Sequence, residues 1–233
     1  MSIIADNLRE VENIIALAAK KSGRNFETIK LVAVTKTVGT PRIIEALEAG
    51  ISEIGENRIQ EAKLKYGELS ERKIIRHMIG HLQTNKVKDA VKIFDYIHSV
   101  DSMRLALEID KEAKKINKIM PCLIEINSGN EISKYGIKFE EAAAFVRAVA
   151  PLANLRFEGL MTVAPISSNP EDLRPIFRKM KELLDHLIEE NKDLYPNFNF
   201  KHLSMGMSQD YMIAIEEGST MVRVGSAIFG KRS

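Results

Sequence analysis

Lys36 ends the short apolar run Leu31-Val32-Ala33-Val34-Thr35. A lysine at the end of a buried strand stands beside low-dielectric walls, where desolvation lowers the amine pKa. A neutral amine attacks an aldehyde or ketone to form a Schiff base. The same placement suits a lysine that lays its stem on apolar surface and returns its charge to water. Lys36 therefore needs partners before it can be assigned chemistry. Candidates lie far along the chain, where Ser204-Met205-Gly206-Met207-Ser208 offers hydroxyls, small residues and backbone N–H groups ahead of a helix, the requirements of a phosphate cradle. Arg223-Val224-Gly225-Ser226 follows close behind. Either segment alone reads equally well as a glycine turn; together with Lys36 they point to a phosphorylated carbonyl ligand.

These residues act together only if the fold brings them to one place. Ile4, Leu8, Val11, Ile15 and Ala18 form a helical stripe over residues 3–20, ahead of the β-branched strand 31–35. Thr40-Pro41 reads as the N-cap and N1 of a helix with Ile43, Ile44 and Leu47 inward and Gly50 at its end. Further strands are predicted at 53–55, 74–79, 96–100, 120–127, 156–161, 202–205 and 219–224, the fifth carrying a buried Glu125. Helices are predicted at 57–70, 83–91, 102–115, 139–149 and 209–217, and Asn169-Pro170-Glu171-Asp172 caps another with apolar positions from Leu173 to Ile188.

Eight strands alternating with helices, with no Pro/Gly/Ser-rich linker or charge block between them, predict an α/β fold. The expectation is a single (β/α)8 TIM barrel with an extra N-terminal helix, one domain over residues 1–233; a doubly wound Rossmann-type sheet with extra units gives a similar pattern. In a barrel the C-terminal strand ends share one mouth, and phosphate sites are frequently built after strands seven and eight. That rule brings Lys36 to the two glycine-serine segments.

Composition narrows the function classes. Over 233 residues the chain is 45% hydrophobic and 28% charged, an ordinary globular balance that excludes a disordered, collagenous or disulfide-stapled chain. A net charge of +2 is too small for a dedicated nucleic-acid binder, so no nucleic-acid partner is expected. Cys122 is the single cysteine, which leaves no intrachain disulfide and no multi-thiolate metal site. The N-terminus lacks a basic segment followed by a continuous apolar one, and no stretch approaches ~18 apolar residues. No membrane partner and a cytoplasmic location are expected.

Other motifs lead nowhere. Gly225 to Lys231 resembles a Walker A loop, but Arg232 replaces the Mg-coordinating hydroxyl and the chain runs out at Ser233, leaving no helix to receive phosphates. His77 and His81 are four apart, yet one lies in a strand pattern and the other in a loop, so they do not form a helical metal pair and no metal is expected. Cys122 and the ten methionines read as core.

A Schiff-base lysine after strand one with a phosphate cradle after strands seven and eight is what pyridoxal 5'-phosphate requires. The chain resembles the YggS/PROSC family, the pyridoxal phosphate homeostasis proteins, whose fold is similar to the N-terminal barrel of alanine racemase. The matching segments are Leu31 to Thr37, Gly55-Glu56-Asn57, His77 to Lys86, Gly159-Leu160-Met161, Leu203 to Ser208 and Gly218 to Gly230. The resemblance implies that Lys36 carries the cofactor as an aldimine and that Asn57 and Met161 line its ring. It implies that Ser208, Gly225 and Ser226 hold the phosphate, with Ser204 and Gly206 shaping the turn, and that Arg223 faces the pyridine nitrogen. A guanidinium only donates hydrogen bonds, so it keeps that nitrogen unprotonated and weakens the ring as an electron sink.

Thr37-Val38-Gly39-Thr40-Pro41 departs from the family, which often has a second basic residue and an earlier proline there. Lys134 matches a loop lysine that the family usually keeps, either a secondary amine for transfer or a solvated lysine.

The implied role is binding, homeostasis and delivery of pyridoxal phosphate, with no turnover and no catalytic residue, apo-enzymes as recipients and a monomeric state. A racemase-like enzyme is the alternative. It requires an acid/base group on the face opposite the lysine, which alanine racemases take from a second domain that is not expected here. Tyr66, Tyr96, Tyr135, Tyr195 and Tyr211 do not match that position. A Schiff-base aldolase acting on a phosphorylated sugar would use the same lysine and cradle.

Overall fold

The computed structural model describes residues 2–129, 135–191 and 197–230. Among them, eight parallel strands close into a barrel in chain order: β1 (Lys30–Val34), β2 (Glu53–Glu56), β3 (Ile75–Met78), β4 (Tyr96–Val100), β5 (Met120–Glu125), β6 (Leu155–Met161), β7 (Phe198–Met207) and β8 (Met221–Val224). β8 closes on β1 with Leu31 opposite Val222 and Ala33 opposite Val224. The predicted (β/α)8 architecture is thus the observed one, and the doubly wound alternative is not.

The connecting helices are α2 (Thr40–Glu48), α3 (Ile59–Glu68), α4 (Val87–Ile93), α5 (Met103–Lys115), α6 (Ala142–Val149), α7 (Arg174–Asn191) and α8 (Tyr211–Glu216). The extra N-terminal helix α1 (Ile3–Lys21) begins where Ser2 accepts from the Ala5 N–H and buries the predicted stripe Ile4, Leu8, Val11, Ile15 and Ala18. It lies against α2, α8 and a terminal helix α9 (Ser226–Phe229). α9 is not among the predicted elements: its single turn is too short for a periodic stripe to reveal.

Local chemistry explains the other departures. Gly39, not Thr40, is the N-cap of α2, so that end has no side-chain cap. Asn169 caps a 3₁₀ turn over Pro170–Leu173 instead of α7 itself. Pro175, in the first turn of α7, has no N–H to donate back to Glu171, which divides the two. β7 begins earlier than expected because Phe198 and Phe200 alternate with polar residues and pack on the outer core. β8 begins later because the Ser219 N–H is spent on the Ala214 carbonyl beyond the end of α8.

Helices and outward strand residues form one continuous apolar layer, including Ile43, Ile54, Phe94, Ile109, Phe157 and Phe177. The barrel interior is different. His98 on β4 contacts Ser204 on β7, two strands that are not neighbours, so these polar groups meet across the interior.

Candidate functional site

Lys36 sits just beyond β1, half-buried, in a tight turn. The residues on either side of it are pinned. Lys65, a buried residue of α3, donates to the Thr35 carbonyl (2.6 Å), to Glu56 Oε1 (2.8 Å) and to Glu61 Oε1 (2.6 Å). Thr35 Oγ1 donates to the same Glu56 oxygen (2.7 Å), and the Thr37 N–H donates to Glu61 Oε1. Thr37 adopts φ 62°, which costs a β-branched residue on the order of 1–2 kcal/mol; the Glu61 hydrogen bond holds it there. Burial raises the Glu56 carboxyl above the usual range, while burial opposes but Lys65 and the Thr37 amide outweigh it at Glu61, which is lowered. One ammonium with two carboxylates thus fixes the backbone before and after Lys36.

Beside this turn lie the loops after β7 and β8. Gly206 takes φ 94°, and a Cβ there would stand 2.6 Å from Ala214 Cβ and 2.9 Å from Tyr211 Cα, so only glycine lets β7 turn onto α8. Ser208 Oγ accepts from the N–H groups of Gly225 (3.2 Å) and Ala227 (3.4 Å), which ties the two glycine-serine segments together. A Cβ on Gly225 would press on Val34 at 3.3 Å, directly upstream of the Lys36 turn.

A cleft of about 320 Å³ opens between these parts. Lys36, Ser208, Arg223, Gly225 and Ser226 all line it, as do Arg42 and Asp210. Three cations therefore face one acid. That acid accepts from the Met207 N–H and is raised by burial. The cleft thus favours an anionic ligand.

Arg223 is buried at the cleft floor, donating through Nη1 to Ser204 Oγ (2.6 Å) and Ser204 O (2.8 Å) and through Nη2 to Thr162 O (2.8 Å). Burial lowers its pKa to about 10, partly offset by Glu125 and Asp210, and it stays charged at neutral pH.

The remaining predicted residues are placed elsewhere. Ser204 serves Arg223 and does not line the cleft. Gly206 shapes the turn behind it. Met161 is buried with Tyr96 and Leu123. Asn57 lies in the loop after β2, lining a separate cavity with His81 and Lys86, and is packed so closely that a Cβ on Gly80 would fall 2.5 Å from its carbonyl. Lys134 and Tyr195 fall outside the described residues.

No tyrosine lines the Lys36 cleft among the described residues. No group of three His, Cys, Asp or Glu side chains among them could hold a metal. Burial pushes the Cys122 thiol up, leaving it an inert core residue. The sequence reading missed Arg42 and the Lys65 cluster. The i,i+4 spacing of Glu61 and Lys65 was a visible signal, but the contact with Thr35 was not.

The family described as "Alanine racemase, N-terminal domain" matches residues 6–233. A "Pyridoxal phosphate homeostasis protein" of Aquifex aeolicus is 42% identical over 227 residues, covering 97% of each chain. One of Escherichia coli K12 is 38% identical over 235 residues, covering 100% of this chain and 98% of its own. The structure of PipY from Synechococcus elongatus PCC7942 with PLP bound is 30% identical with a TM-score of 0.84, covering 97% of this chain and 100% of that one. An alanine racemase of Clostridium difficile 630, 21% identical with a TM-score of 0.72 over 57% of its chain, shares the fold. Identity of 38–42% over nearly the full length of both chains places this chain in the pyridoxal phosphate homeostasis protein family.

Proposed function

We propose that this protein binds pyridoxal 5'-phosphate in the Lys36 cleft and acts in its homeostasis and delivery without transforming amino acids. The observation that carries the reading is the convergence of an amine, a hydroxyl-and-amide cradle and a donor-only guanidinium on one cleft of about 320 Å³. That volume suits a small ligand. The relatives' names and the PLP in the PipY structure support the same reading.

The residues present fit the group. Ser208 Oγ, already gathering the N–H groups of Gly225 and Ala227, is placed with Ser226 to hold a phosphate, with Arg42 adding charge. Lys36 offers the point of covalent attachment. When bound, pyridoxal phosphate supplies an aldehyde for that attachment and a ring whose electron demand depends on a protonated nitrogen. We assign Arg223 to that nitrogen: a charged guanidinium donates a hydrogen bond while keeping its proton and can accept none, so the nitrogen stays unprotonated. Asn57 and Met161 would then line the ring only from the second cavity and the buried wall of β6. We read residues 1–233 as one cofactor-binding barrel, monomeric and cytoplasmic, with apo-enzymes as recipients. No described helix is long and apolar enough to cross a membrane.

A racemase needs an acid/base group across from the lysine. Among the described residues the Lys36 cleft is lined by one acid, Asp210, and by no tyrosine or histidine. Titrating the purified protein with pyridoxal phosphate is expected to give a saturable visible band with no steady-state interconversion of D- and L-alanine. Absence of the band contradicts binding. Steady turnover contradicts the non-enzymatic role. A phosphorylated sugar substrate would give attachment without colour.

A further inference from the structure

Arg223 is the visible end of a longer chain. Its Nη1 donates to Ser204 Oγ (2.6 Å), which lies 3.2 Å from His98 Nδ1. His98 Nε2 lies 2.9 Å from His77 Nδ1, and His77 Nε2 lies 3.0 Å from Glu53 Oε2. Glu53 Oε1 accepts from Lys30 Nζ at 2.7 Å, at the opposite end of the barrel from the cleft. Side chains of β8, β7, β4, β3, β2 and β1 thus form one polar line through the interior. His77, His98 and Ser204 are fully buried within it. Aliphatic side chains would fill that space at lower desolvation cost.

The chemistry of the two ends biases the protons between them. A guanidinium has no acceptor, so Ser204 Oγ accepts from Arg223 and keeps its own hydrogen to donate to His98 Nδ1. His98 is then protonated at Nε2 and donates to His77 Nδ1. His77 Nε2 faces Glu53 Oε2 at 3.0 Å, a charge contact without hydrogen-bond geometry, and the carboxylate favours a proton on that nitrogen. Burial holds His98 well below the ordinary imidazole range, reinforced by His77, Arg223 and His202 around it. Burial also lowers His202 to about 4, and the Tyr96 ring packs against His77, His98 and His202. Glu53 is lowered by its contacts with His77 and Lys30, against the effect of its burial.

We propose that Ser204 and His98 are positioning residues for Arg223, biased to a single donor direction by the charge of the Glu53 carboxylate facing His77, and that this chain fixes the guanidinium at the cleft floor. The proposal extends the pyridoxal phosphate reading and rests on it for the identity of the ring, but the donor direction of the chain does not depend on any ligand.

The test uses the full chain carrying ¹⁵N-histidine, with and without pyridoxal phosphate, over pH 5–9, alongside Ser204→Ala and His98→Phe. Nitrogen shifts are expected to show His98 neutral and protonated at Nε2 throughout, with the Nδ1 signal moving in Ser204→Ala as its donor is lost. In the loaded variants the pH midpoint of the visible band is expected to move by about half a unit or more, the readout of a displaced guanidinium. Ser204→Cys, which retains a weak donor, is expected to recover part of that shift. A His98 protonated at Nδ1, or one titrating near the ordinary imidazole value, overturns the chain. Loaded variants with the parent midpoint overturn the positioning role. If the parent itself takes up no pyridoxal phosphate, the cofactor reading fails and the histidine spectra still decide the donor direction.

Discussion

The backbone on either side of Lys36 is held in place by a second lysine. Lys65 satisfies the Thr35 carbonyl and a fully buried Glu56 carboxylate at once, while Glu61 holds the αL residue Thr37. Removing the ammonium in Lys65→Met leaves Glu56 buried without its cation. Losing one partner of such a pair costs about 3–5 kcal/mol. The sign of the pH dependence follows from Glu56, whose carboxyl is raised in the folded protein by burial. The stability this shift contributes is present below the unfolded carboxylate value and is lost as pH rises through the folded one. A neutral Glu56 does not need Lys65, so the penalty of the substitution should be smaller at pH 5 than at pH 8. Denaturant unfolding at the two pH values measures it, and an equal penalty would contradict the charge argument. Slower attachment of an aldehyde at Lys36 should accompany the substitution at either pH.

At the scale of elements, the site is a meeting of three strand ends, and glycine decides how closely they approach. Gly225 brings the end of β8 against Val34 of β1, so the loop proposed to hold the phosphate and the lysine turn share a wall. A Cβ there, at 3.3 Å from both Val34 Cβ and the Val34 carbonyl, requires β1 to shift by a few tenths of an ångström. Gly225→Ala is therefore expected to weaken pyridoxal phosphate binding about tenfold, about 1.4 kcal/mol, while the protein still folds. Equilibrium titration of the visible band checks it, and unchanged affinity would show that the two strand ends are not coupled.

This layout was partly legible in the sequence. Strand runs rich in β-branched residues and the order of elements gave the barrel, and the barrel rule alone gathered Lys36, Ser208, Arg223, Gly225 and Ser226. What stayed hidden depends on side chains crossing between distant elements. His98 lies in an apolar strand and looks like core, Lys65 looks like a surface lysine of its helix, and the single turn of α9 is too short to show a period. Ser204 was read as part of the phosphate turn, whereas its hydroxyl serves Arg223 from beneath.

For the whole molecule, the barrel separates two environments along one axis. The end formed by the C-terminal strand ends presents Lys36, Arg42 and Arg223 around a cleft, and the far end closes on the Lys30–Glu53 pair. The closed sheet holds both ends in fixed register, so charge at the mouth and the buried polar line beneath it are properties of the complete fold. An alanine racemase shares this barrel, and the chain spans 57% of that protein's length. Within the shared barrel the cleft presents Lys36 in a mostly cationic lining, with Asp210 as its one acid among the described residues. The most direct test of that account is to load the full chain with pyridoxal phosphate, reduce it with borohydride and locate the pyridoxyl group by peptide mass spectrometry. The account predicts one modified residue, Lys36, and none in Lys36→Ala. Modification spread over surface lysines, or retained at full level in Lys36→Ala, would contradict it.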